Sequence, residues 1–94
     1  MDKNNRCTGK SLEIRNRIRI ALAALAYEKY DDPIMDDASF DALAREIDLS
    51  VETGRPDLDK WFRENFNPST GSWVWKHPEL EKLEKLLLRV YYGE

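Results

Sequence analysis

Leu25 to Ile47 reads LAYEKYDDPIMDDASFDALAREI, and the fold is decided by how this stretch is parsed. Leu25 to Tyr30 finish one helix, an acidic turn holding Pro33 follows, and a second helix opens at Asp36 or Asp37. Pro33 ends the first helix because the residue before a proline is pushed out of the helical region. Either Asp36 or Asp37 can accept hydrogen bonds from the orphan amides of the second helix's first turn. Phe40, Leu43, Ile47 and Val51 then recur at spacings of three, four and four, which predicts a buried helical stripe. Gly54 is placed to stop that helix, with Pro56 just beyond it.

The pattern extends in both directions. Toward the N-terminus, Ser11 can cap the first helix and Glu13 puts a favourable charge in its first turn. Ile14, Ile18, Ala21 and Leu25, joined by Leu22 and Tyr27, supply its inward stripe from Leu12 to Tyr30. Residues 1–10 show no periodicity and read as a mobile arm, so the folded domain is expected over 11–94. Toward the C-terminus, Pro56 or Asp57 begins a short third helix with Leu58, Trp61, Phe62 and Phe66 inward. The run Asn67 to Ser72 is a turn by composition. Trp73, Val74 and Trp75 read as a short extended piece with both indoles on one side. Pro78 sits at the expected first position of a last helix, with Leu80, Leu83, Leu87 and Val90 as its stripe and Tyr91 beside them. Four helices on short connections predict a small all-α domain with a helix-turn-helix core and a Trp-containing loop before the last helix.

A chain of 94 residues is near the lower limit for folding without staples, so its 41% apolar content must be spent on one core. The single cysteine, Cys7, excludes an internal disulfide; with no secretory signal in view, cytoplasm is the expected location. The longest uncharged apolar run, Ile20 to Tyr27, is too short to span a bilayer, so no membrane role is expected. Net charge is only −3, yet it is polarised. Residues 1–20 carry six cations against two anions, while residues 28–41 carry six acids against Lys29.

That polarity invites two site readings, and both are weak. Lys10, Arg15, Arg17 and Arg19 make a basic stretch, but only Arg15 and Arg19 share a helical face; a solvated helix explains it better than DNA binding. The acids around Pro33 lack the alternating order, glycine and terminal glutamate of a calcium loop, and no cysteine–histidine spacing suits zinc. No metal is therefore expected. His77 precedes Pro78 and reads as a cap.

One local constellation is chemically richer. Asp37 and Asp41 are four apart and so lie on one helical face. Tyr27, at the end of the preceding helix, can offer a ring face to a cation. The bland alternatives stay open: Asp37 as a helix cap, Asp41 as a solvated acid favoured by the helix dipole, Tyr27 as a core ring with its hydroxyl at the rim.

Tyr27, Pro33, Ile34, Asp37, Ala38, Phe40, Asp41, Leu43, Arg45, Glu46 and Ile47 resemble the N-terminal helical subdomain of bacterial NAD-dependent DNA ligases. The family's His-Pro-Glu-Leu step is similar to Arg55-Pro56-Asp57-Leu58 here, one residue late because of Gly54. The resemblance covers residues 12–58 and leaves 59–94 unmatched; it fits a small standalone ligase-like protein of the sort phages carry. It implies binding of the nicotinamide mononucleotide half of NAD at Tyr27, Glu28, Asp37, Phe40 and Asp41. Glu28 stands where the family has Tyr or His, and Phe40 where it has Tyr. Carboxylates suit the vicinal ribose hydroxyls and the cationic ring of such a ligand.

Independent catalysis is not expected. The family's adenylation step needs a lysine in a Lys-x-Asp-Gly setting, which does not occur in this chain, and neither a P-loop nor a nucleophile elbow is present. The leading expectation is a non-catalytic, cytoplasmic accessory acting with or on a DNA ligase or a separate adenylation domain. A structural interaction module that has lost the ligand is the alternative, with Trp73 and Trp75 as candidate anchors. A small, salt-dependent DNA-binding accessory is the third.

Overall fold

The structure, a computed structural model, describes residues 9–93. Cys7 and most of the expected N-terminal arm lie outside the described residues, while Gly9 and Lys10 are already helical. The elements in order are α1 (Gly9–Tyr30), α2 (Asp37–Glu46), α3 (Pro56–Asn65), a 3₁₀ turn (Ser72–Lys76) and α4 (Leu80–Tyr91). The domain is all-α, and among the described residues there is no strand.

α1 is the spine. From Ile20 to Ala26 every side chain is buried, because α2, the 3₁₀ turn and α4 pack around that segment. The run holds four alanines, which let neighbouring backbones approach closely. Gly71 shows how closely: a Cβ there would sit 3.2 Å from the Ala24 Cβ. No helix of the described residues is long and apolar enough to cross a membrane.

The N-terminal half of α1 departs from the expected stripe. Ile14 and Ile18 are 37% and 41% exposed, and the buried side chains are Glu13, Asn16 and Arg17. Arg17 donates from Nε to Glu13 Oε2 at 2.7 Å, from Nη1 to Asp59 Oδ1 at 2.9 Å, and from Nη2 to the carbonyls of Asp48 and Val51 at 2.9 and 3.3 Å. Its guanidinium also lies 5.3 Å from the Phe62 ring centroid. Glu13 accepts the Asp48 amide at 3.0 Å, and Asp59 accepts the amide and hydroxyl of Thr53 at 3.0 and 2.6 Å. These bonds satisfy the backbone of the α2–α3 connection, which explains why α2 stops early. The expected helix through Val51 ends at Glu46, Ile47 turns extended, and residues 48–53 bond to α1 and α3 side chains instead. Gly54 (φ +94°) serves the turn into α3 rather than the end of α2.

α3 starts with Pro56 in its first turn, as expected, and sends Phe62 into the core. Phe62, Phe66, Trp73 and Trp61 interlock at centroid distances of 5.1 to 6.1 Å, a geometry that adds to burial for aromatic pairs. The extended piece expected at Trp73 to Trp75 is a 3₁₀ turn instead. With three residues per turn, positions i and i+2 face about 120° apart. Trp73 is therefore buried at 5% exposure, its Nε1 donating to the Thr70 carbonyl, while Trp75 is 44% exposed.

α4 starts two residues after Pro78, and His77 caps the turn by accepting the Glu79 amide on Nδ1 at 2.9 Å. Leu83 and Leu87 fill the core, but Val90 and Tyr91 are exposed, so the expected stripe ends a turn early. The C-terminal ends of α1 and α4 are tied at the surface: Tyr30 donates to Glu84 at 2.6 Å, and Tyr92 packs edge-on against Tyr30 while donating to Asp32 at 2.5 Å.

Candidate functional site

The acidic corner begins where α1 stops. Asp31 takes up a left-handed conformation (φ +53°), with its amide donating to the Tyr27 carbonyl at 3.1 Å and the Asp32 amide donating to Ala26 at 3.1 Å. This is the usual left-handed closure of a helix, but with aspartate in a position that favours glycine. The stop thus falls at Tyr30, before Pro33 is reached. α2 starts on Asp36, whose Oδ1 accepts the Ser39 amide at 2.7 Å. That backbone hydrogen bond holds the Asp36 carboxyl below its ordinary pKa, so Asp36 is the cap and remains charged.

Asp37 is thereby released from capping. It lines an open groove of about 370 Å³ together with Tyr27, Phe40 and Asp41. Pro33 and Met35 form one wall, Ala23 and Ala24 the floor, and Ser69, Thr70 and Gly71 the far wall. No side-chain hydrogen bond or ion pair engages Asp37 or Asp41 among the described residues. Tyr27 is a rim residue, 57% exposed, rather than a core ring. Phe40 is half-buried and packs its ring against the core from the groove side.

Glu28 stands apart from the other four. It does not line the groove; its Oε1 accepts Trp75 Nε1 at 2.9 Å. Two residues expected at different sites, Glu28 for the cofactor and Trp75 for a partner, are thus one surface pair. Trp73, the other expected anchor, is buried in the core.

Sequence reasoning missed the floor and the far wall. Ser69 to Gly71 read only as a turn, and their approach to Ala24 depends on a contact across more than forty residues. Gly71 is the readable clue: a glycine after a polar turn can mark a close backbone approach.

The arrangement offers hydrogen-bond acceptors on one rim, an aromatic face beside them, and small residues below. It suits a planar cationic or hydroxyl-rich ligand of modest size. The basic stretch loses a member, because Arg17 is buried and ion-paired inside the protein, while Arg15 and Arg19 face solvent. Among the described residues no group of three or more His, Cys, Asp or Glu is placed to hold a metal ion.

Comparison with known proteins adds one finding. Forty residues of this chain, 43% of its length, are 52% identical to part of a DNA ligase from Acidiphilium cryptum (strain JF-5). The matching stretch spans 6% of that protein's length. No family model and no solved structure matches the chain. Over that stretch, the chain is related in sequence to a DNA ligase.

Proposed function

We propose that this chain is a non-catalytic, ligase-related helical module whose groove between α1 and α2 receives the nicotinamide nucleotide half of NAD. It would work in the cytoplasm of a bacterium or a phage-infected host, with or on a DNA ligase adenylation domain carried on another chain. The observation that carries this reading is convergence. Tyr27, Asp37, Phe40 and Asp41 come from two helices and line one groove, and these four are positions to which the ligase resemblance assigns the nucleotide.

The fit is sound in size and chemistry. A volume of about 370 Å³ falls at the small end of the roughly 300–1,000 Å³ typical of ligand sites. The Tyr27 face would meet the pyridinium and the two carboxylates would accept from ribose hydroxyls. Phe40 offers no hydroxyl and Glu28 is engaged by Trp75, so affinity is expected in the millimolar range. The lack of a Lys-x-Asp-Gly segment supports a non-catalytic role. Bound nicotinamide nucleotide would supply the leaving half of an adenylation reaction; this chain's residues would only bind and orient it.

The test is an amide chemical-shift titration with nicotinamide mononucleotide. Saturable shifts are expected at Tyr27, Asp37, Asp41 and Gly71, and they should vanish in the Asp37→Asn, Asp41→Asn double variant. Silence at millimolar ligand refutes the reading. One observation favours the interaction-module alternative: Trp75 is exposed beside Glu28. Capture of a ligase by the wild type, lost on Trp75→Ala with the titration silent, would decide for it.

A further inference from the structure

A second groove shares no residue with the first. It holds about 260 Å³ between α1, α3 and α4, and its walls are Ile14 and Ile18, Leu58 and Phe62, and Leu83 and Leu86. Ile14 and Ile18 are the part of the α1 apolar ridge that no element covers; Ala21 and Leu25 continue the same ridge into the core. Leaving two isoleucines bare carries a solvation cost of about 25 cal/mol per Å² of apolar surface.

One end of this groove is polar. Arg55, His77, Glu79 and Lys82 stand there. Arg55 directs Nη2 to Glu79 at 2.9 Å and to Asp57 at 3.3 Å. The Lys82 ammonium is only loosely associated, 3.7 Å from Glu79 and largely exposed. His77 is more constrained. Its Nδ1 accepts the Glu79 amide, and its ring lies tilted against that of Trp61 with centroids 4.9 Å apart. Burial holds the imidazole below its ordinary pKa, against the opposing pull of Glu79, so the ring is neutral at pH 7. With Nδ1 accepting, Nε2 must carry the proton, and that N–H has no partner among the described residues. Arg17, also on the groove wall, directs its guanidinium to Glu13, Asp59 and the carbonyls of Asp48 and Val51.

We propose that this groove binds a small apolar carboxylate, an aryl or medium-chain alkyl acid. The tail lies between the α1 isoleucines and the α4 leucines, and the carboxylate meets the Lys82 ammonium and the His77 Nε2–H. The Arg55 guanidinium is taken up by Glu79 and Asp57, so the donors left for a ligand are the loosely held Lys82 ammonium and the His77 Nε2–H. Two donors at one end, one of them charged, favour the acid over a neutral or cationic relative.

Sodium octanoate is the probe, with 1-octanol and octylamine as neutral and charge-reversed counterparts. Methyl and imidazole NMR signals are followed on the full chain. Saturable shifts at Ile14, Ile18, Leu83 and His77 are expected, with octanoate binding about tenfold more tightly than octanol through its charge-assisted hydrogen bonds. Lys82→Met should abolish that preference and Lys82→Arg should keep it. Lys82 is exposed, so an unchanged melting temperature will confirm that both variants fold. The proposal is overturned if millimolar octanoate gives no saturable shift, or if octanol binds equally well. It also fails if the shifts track protein concentration and light scattering reports a dimer, because a second copy then fills the groove.

Discussion

Replacing Arg17 with methionine tests the account of how this domain is held together. Methionine keeps the apolar stem and removes every donor, leaving Glu13 and Asp59 buried without their cation. Each carboxylate retains some support, Glu13 from the Asp48 amide and Asp59 from Thr53. The carbonyls of Asp48 and Val51 lose their partner as well. Removing one member of a buried ion pair typically costs about 3–5 kcal/mol. A domain of this size holds roughly 5–14 kcal/mol in all, so the variant should be barely folded at 37 °C. Its melting temperature should fall by on the order of 15–30 °C. Urea titration followed by far-ultraviolet circular dichroism measures this directly. Arg19→Met, on the solvent face of the same helix, is the control and should stay within about 0.5 kcal/mol of wild type. A cycle with Asp59→Asn should show coupling of roughly 1–3 kcal/mol. A loss below about 1 kcal/mol for Arg17→Met would refute the reasoning.

The same cluster has a pH signature. Burial acts most strongly on Asp59 and would raise its pKa, but the Thr53 hydrogen bonds and the Arg17 charge together outweigh it and hold the carboxyl below its ordinary value. A depressed carboxylate stabilises the fold above its unfolded value, and that support drains away as pH falls through the folded one. The urea midpoint should therefore drop on acidification, and less steeply in Asp59→Asn. At the other extreme, the hydrogen bond to Asp32 pushes the Tyr92 phenol up to about 12. Its contribution is complete below the unfolded value and disappears as pH rises through the folded one. An alkaline absorbance titration should show a late component that Tyr92→Phe removes; an end of the curve unchanged by that substitution would contradict the Tyr92–Asp32 bond. Asp31→Gly should raise stability by up to about 1 kcal/mol, since glycine takes the left-handed conformation without a Cβ clash. A loss on thermal melting would mean that Asp31 is not strained.

Local chemistry made several features legible. A carboxylate three residues before an amide caps a helix wherever the chain allows it, which is why Asp36 was readable as a start of α2. Asp37 and Asp41 share a face because helical periodicity alone puts them there, and Pro56 opens α3 because its missing N–H costs nothing in a first turn. The acid half of the candidate groove was visible for that reason.

What needed the tertiary structure were the choices that local chemistry leaves degenerate. Ile14 and Arg17 both lie at helical spacings that could face inward, and only the α2–α3 connection, with carbonyls needing donors, turns α1 so that the guanidinium is buried. The conformation of Trp73 to Trp75 is open until Trp73 meets Phe62 and Phe66, which separates two indoles that look equivalent in sequence. The far wall of the groove exists because Gly71 can rest on Ala24. Residue type and spacing determined which helices form and which acids stand together. Which faces are buried, and hence that there are hollows at all, was settled by hydrogen-bond and packing demands between segments distant in the chain.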